Sequence, residues 1–92
     1  MRREPDHFGD RELALVYVAR KLKDALRLED VLTGEGVDYV VEADRYWSGT
    51  IFRRERVGAF FYVVPEAEEA ARETLRRAGF QPFEEEGSRR ER

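Results

Sequence analysis

From Arg56 to Val64 the chain reads RVGAFFYVV and then meets Pro65. Strand alternation places Val57, Ala59, Phe61 and Val63 on one side and Gly58, Phe60, Tyr62 and Val64 on the other. A strand with no polar side belongs inside a sheet, buried on both faces. Pro65 suits the first turn of a helix, where its missing N–H leaves nothing unsatisfied. Glu66, Glu68 and Glu69 follow at the positive end of that helix, and Arg72, Arg76 and Arg77 lie towards its negative end. Ala67, Ala70, Ala71, Thr74, Leu75 and Ala78 form a narrow apolar stripe that lets the helix lie close to a sheet. Glu68–Arg72 and Glu73–Arg77 are i,i+4 pairs worth about 0.3 kcal/mol each. Gly79 supplies the left-handed stop. Glu55 to Gly79 is therefore a strand, a stop and a helix.

The remaining segments arrange themselves around that unit. Leu13 to Ala19, LALVYVA, is a second run apolar on both faces. Alternation predicts Ala14, Val16 and Val18 on one face and Leu13, Leu15 and Tyr17 on the other. From Arg20 to Leu32 the apolar residues fall at helical spacing, and Gly34 and Gly36 close the helix. Val37 to Tyr46 alternates apolar and acidic residues, as a half-buried strand towards a sheet edge does. Ser48-Gly49 marks a hairpin turn. Phe80 to Glu85 reads as a short last strand, kept to an edge by Pro82.

The order is β-α-β-β-α-β. It predicts an α+β, ferredoxin-like fold: a four-stranded antiparallel sheet of order 4-1-3-2 with two helices on one face. Residues 1–11 read as a flexible N-terminal arm, 12–86 as one domain, and 87–92 as a disordered polar tail.

Two helices cover only one face of such a sheet. The other face would expose Leu13, Leu15, Tyr17, Phe60 and Tyr62, a large patch for a monomer. A homodimer packed sheet to sheet is the expected way to cover it.

The 92 residues are 41% hydrophobic and 40% charged, with a net charge of -3. That balance predicts no bulk attraction to nucleic acid, so any such binding would need a local basic patch. With no cysteine, thiol nucleophiles and zinc–thiolate sites are excluded. No apolar run reaches the ~20 residues of a membrane helix, and the first residues carry no signal-peptide apolar core. A cytoplasmic protein without a membrane partner is expected. His7, the single histidine, lies between Asp6 and Asp10 in the arm and makes too poor a ligand set for a metal. No metal or cofactor is expected.

The best candidate site is the arginine group Arg45, Arg53, Arg54 and Arg56 around the hairpin. Guanidinium groups there can hold a phosphate or carboxylate through paired hydrogen bonds. Tyr46, Trp47 or Phe52 can stack on a ring or on an arginine. The competing structural reading is a solvated hairpin balanced by Asp44 and Glu55.

From about Val16 to Gly79 the chain resembles a family of small bacterial proteins assigned to signal transduction. Their ferredoxin-like fold is related to the PII regulators. The resemblance rests on the helix closing at Gly36-Val37, the strand VDYVVEAD, and Ser48-Gly49. It continues through a Gly-x-x-Phe strand ending Val64-Pro65-Glu66, an acidic helix, and Arg77-Ala78-Gly79-Phe80. It implies a regulatory or binding role; a small anionic ligand or a protein is the partner expected from the hairpin arginines themselves. The Tyr46-Trp47 loop and the following arginines are not part of it.

Two other readings compete. Tyr17, Phe60 and Tyr62 on an open sheet face could stack single-stranded RNA bases, although Gly58 and Arg20 depart from the usual RNA-recognition strands. A small isomerase-type enzyme could use an open-face pocket. Ser48 and Ser88 have no histidine partner outside the arm, and no glycine-rich phosphate loop is present, so no catalytic residue is assigned.

Overall fold

The computed structural model describes residues 1–84. The expected tail 87–92, and the end of the expected last strand at Glu85, lie outside the described residues. The elements are β1 (Arg2–Arg3), β2 (Ala14–Ala19), α1 (Leu22–Gly34), β3 (Tyr39–Ser48), β4 (Arg54–Val63) and α2 (Glu68–Arg77). Short 3-10 turns at Pro5–Phe8 and Pro65–Ala67 precede β2 and α2.

The architecture is α+β, with one four-stranded sheet and two helices. The strand order is β1-β3-β4-β2, with β1 parallel to β3 and the other pairs antiparallel. This corrects the expected all-antiparallel 4-1-3-2 order in two places. After α2 the chain does run beside β2, where the Phe83 N–H donates to the Val16 carbonyl at 2.7 Å. Residues 80–84 nonetheless form no strand. The described pairing with β2 is that single backbone bond. At the opposite edge, residues expected as a free arm supply β1, and the Tyr39 N–H donates to the Met1 carbonyl at 3.0 Å.

Both helices end as their glycines dictate. Gly36 (φ 76°) and Gly79 (φ 93°) take left-handed conformations. Val37 N–H reaches the Leu32 carbonyl at 3.0 Å, and Phe80 N–H reaches Leu75 at 2.9 Å, the six-to-one bond of a Schellman cap. The second cap drops Phe80 into the core. There it joins Val16, Leu28, Leu32, Tyr39, Phe61, Val63, Ala71 and Leu75 between the helices and one sheet face. Glu68 and Arg72 pair at 3.0 Å as expected. Glu73 instead meets Arg76 at 3.5 Å, while Arg77 reaches across to Glu35 at 3.7 Å.

The β2–β4 register carries a bulge. Leu15 lies opposite Tyr62 and Tyr17 opposite Phe61, which leaves Val16 as an extra residue. Its side chain is fully buried. Past the bulge the alternation of β2 is reversed. Tyr17 and Ala19 then pack on the helix side, and Val18 moves to the other face opposite Phe60. The expected sides of Tyr17 and Val18 are thus exchanged.

The face away from the helices is not bare. To join β1 to β2 the chain must pass β3 and β4. It does so at the Val40–Tyr62–Leu15 end, with the Pro5–Phe8 turn against β3 and Arg11 paired to Glu66. Val40, pointing away from the helices opposite Tyr62, is only 1% exposed.

Candidate functional site: a two-stranded ribbon with two unlike faces

β3 and β4 pair along nine residues each, from Val40↔Tyr62 to Ser48↔Arg54, whereas β2 stops at Ala19↔Ala59. The outer half of the hairpin therefore projects past β2 as a two-stranded ribbon. Its tip carries Ile51 and Phe52, which are 83% and 85% exposed. Gly49 turns the chain there at φ 97°. A Cβ on Gly49 would lie 2.6 Å from the Phe52 carbonyl oxygen, so this turn requires glycine.

Strand alternation sorts the six expected hairpin residues between the two faces. Arg45 and Trp47 share the helix side with Val57 and Glu55. Arg45 donates to the Glu55 carboxylate at 2.8 Å, so the charges of these two residues offset each other. The Arg53 guanidinium lies 5.8 Å from the centre of the Trp47 ring. Trp47 is 59% and Val57 66% exposed. Where the ribbon leaves the body, Val41, Ala43, Val57 and Ala59 line a groove of about 310 Å³ with Leu22 from the start of α1, and Arg2, Arg20 and Lys21 make its rim basic. Leu22 is 75% exposed and Leu26, one turn on, is exposed too.

Tyr46, Arg54 and Arg56 occupy the opposite side, with Arg56 directly across from Tyr46. Sequence reasoning missed a fourth member. Arg20, just past β2, places its guanidinium 5.1 Å from the centre of the Tyr46 ring. The ring packs over Gly58, where an added Cβ would meet Tyr46 Cε1 and the Ala19 carbonyl, each at 3.1 Å. Only the bulge puts Arg20 in phase with this face. The four hairpin arginines accordingly do not converge on one anion. Arg45 is paired on one side, Arg53 lies on Trp47, and Arg54 and Arg56 join Arg20 on the other.

Further down the same face the charge changes sign. Glu42 and Asp44 lie opposite Phe60 and Gly58. Burial, then these two carboxylates, holds the Tyr62 hydroxyl above the ordinary tyrosine pKa. Leu15, Phe60 and Tyr62 are half-buried there, while Leu13 borders a wider cleft beside α2. Tyr17 is on the far side of the sheet, so the expected Tyr17–Phe60–Tyr62 stacking platform is not assembled.

The cleft beside α2, about 610 Å³, is lined by Glu12, Glu68, Glu69, Glu84, Arg72 and Arg76. Arg72 there already donates to Glu68 and to the carbonyls of Phe83 and Leu15. Among the described residues, no three His, Asp or Glu side chains are grouped to hold a metal ion. None of the described helices is long and apolar enough to cross a membrane. No protein-family model, no curated protein and no solved structure matches this chain.

Proposed function

We propose that the chain is a regulatory binding domain that works as a homodimer, joined through the helix-side face of its ribbon. The observation that carries this reading is the gathering of exposed apolar side chains at one end of the molecule. Trp47, Ile51, Phe52, Val57 and Leu22 all lie on or beside the ribbon, and Leu26 is exposed one helical turn beyond Leu22. Two antiparallel ribbons packed face to face would bring each tip, with Ile51 and Phe52, to the groove at the base of the other. Such a contact is self-complementary and closes as a twofold dimer. The charge of Arg45 is offset at this contact by Glu55. The resemblance of Val16–Gly79 to small bacterial signal-transducing proteins supports a regulatory role.

Light scattering at micromolar concentration tests the assembly. The expected mass is that of two chains, falling to one in a Trp47→Ser/Phe52→Ser variant with an unchanged circular dichroism spectrum. A monomeric wild-type protein overturns it.

A further inference from the structure

We infer that the other face of the ribbon binds single-stranded nucleic acid, with Arg20, Arg54 and Arg56 on the phosphates and the Arg20–Tyr46 stack beneath a base. The inference does not depend on the homodimer, because Arg54, Arg56 and Tyr46 lie on the opposite side of β3 and β4; Arg20 alone also borders the groove of the dimer contact.

The first argument is charge. The chain as a whole carries -3, yet this surface gathers three exposed guanidiniums. Among the described residues none of the three has a carboxylate within salt-bridge distance; Arg45, on the other face, has Glu55. An arginine left without an acid is a ready phosphate ligand, since its planar fork matches two phosphate oxygens. The nearest acids on this face, Asp44 and Glu42, lie towards the body of the sheet. They lie inward of Arg54 and Arg56, and Asp44, opposite Gly58, is level with the end of β2 from which Arg20 extends.

The second argument is shape. Arg54 and Arg56 line neither the groove at the ribbon's base nor the cleft beside α2, whereas Arg20 borders that groove. A flat, projecting surface fits an extended chain better than a small anion, which needs enclosure. Arg54 and Arg56 stand two residues apart on one strand, about 6.7 Å. Neighbouring phosphates of a stretched single strand are spaced on that scale. Arg54 and Arg56 follow one strand, which suits one phosphodiester chain; a duplex presents two.

The third argument is the stack. Tyr46 is half-exposed, with its ring between Gly58 and the Arg20 guanidinium. The arginine plane is thereby fixed at the surface, and a fixed guanidinium or aromatic plane is what unpaired bases stack on. Stacking of this kind tolerates any base, so affinity without strong sequence preference is expected.

Fluorescence anisotropy with a labelled mixed-sequence DNA or RNA single strand of about 12 nucleotides tests the inference. Three phosphate contacts predict a slope of about -2 for log K against log salt. Affinity should then fall about twentyfold between about 50 and 200 mM salt. Arg54→Gln/Arg56→Gln should weaken binding at least tenfold and flatten the slope to about -0.7. Arg54→Lys/Arg56→Lys should keep most of the slope, and Arg76→Gln/Arg77→Gln should change neither quantity. Circular dichroism shows that each variant is folded. Four outcomes overturn the inference: no binding by the wild type at low salt, equal binding by the glutamine variant, tighter binding of duplex than of single strand, or equal competition by polyglutamate. The last would mark the surface as one for an acidic protein segment. Retained binding by a monomeric Trp47→Ser/Phe52→Ser variant would separate this site from the dimer contact.

Discussion

The Tyr17 ring meets the Phe80 ring edge-on, with centroids 5.3 Å apart. Tyr17 reaches the helix side only because Val16 is bulged, and Phe80 reaches it only because Gly79 turns the chain out of α2. Arg27 closes the contact from α1, with its guanidinium 5.1 Å from the Phe80 ring centre and a 3.0 Å hydrogen bond to the Ala78 carbonyl. The pair thus joins β2, α1 and the segment after α2. Phe80→Ala should cost about 3 kcal/mol in urea unfolding. A Tyr17→Ala/Phe80→Ala double-mutant cycle should show a coupling of about 1 kcal/mol. Additive effects would mean that the rings do not interact.

Arg72 holds three parts of the chain together. It donates to Glu68 at 3.0 Å, to the Phe83 carbonyl, and at 3.5 Å to the Leu15 carbonyl. Its side chain is mostly buried, so these are charge-assisted bonds shielded from water. Arg72→Leu should lower stability by about 2 kcal/mol. Arg76→Leu, an exposed neighbour, should change it by less than about 0.5 kcal/mol. Equal melting temperatures for the two variants would remove Arg72 from this role.

The two ribbon glycines should fail in different ways. Gly49→Ala puts a Cβ against the Phe52 backbone and forces a positive φ, a cost of about 1–3 kcal/mol. Gly58→Val pushes branched carbon atoms into Tyr46 and the Ala19 carbonyl. That overpacking should cost about 1–3 kcal/mol and displace Tyr46 from beneath Arg20. Thermal melts check the stability. Trp47, the single tryptophan, reports the tip by its emission, which should shift in Gly49→Ala. Wild-type melts for both variants would show that the ribbon tolerates side chains at these points.

Alkaline pH should unfold the protein earlier than its arginines and lysines would suggest. Tyr17, Tyr39 and Tyr62 are each held above the ordinary value of 10.0, in every case chiefly by burial. Asp24 adds to the shift at Tyr17, and Glu42 and Asp44 add at Tyr62; at Tyr39 the Thr33 hydroxyl opposes it. A raised folded-state pKa means that the native state keeps its proton where the unfolded chain loses it. This stability is whole below pH ~10 and lost as pH climbs through the folded-state values. The urea midpoint should stay level from about pH 7 to 9 and fall above ~10. A midpoint that rises across that range would contradict the burial of these hydroxyls.

Periodicity and punctuation made the elements legible. The run VGAFFYVV becomes the inner strand β4, the Ala67–Ala78 stripe becomes α2, and Gly36 and Gly79 close their helices as glycine must. Each is a local matter, governed by side-chain spacing or by the absence of a Cβ. The candidate hairpin residues were legible as a group for the same reason. Their division between two faces follows from alternation once the register is known, and Arg20 belongs to the group only in three dimensions.

Pairing, by contrast, was decided by the tertiary structure. The LALVYVA run reads as an unbroken alternation, yet the bulge at Val16 turns Tyr17 inward and Val18 outward. Nothing in that run marks a bulge, because every residue in it is apolar and either phase buries carbon. Phe80 to Glu85 reads as a strand, yet its described part is tied to β2 by one backbone bond, from Phe83 to Val16. Arg2 and Arg3 looked like a free arm until the outer edge of β3 offered them unpaired backbone groups. The sequence determined which segments are strands and helices. Which edges meet, and therefore which side chains share a surface, came from backbone hydrogen bonds between residues far apart in the chain.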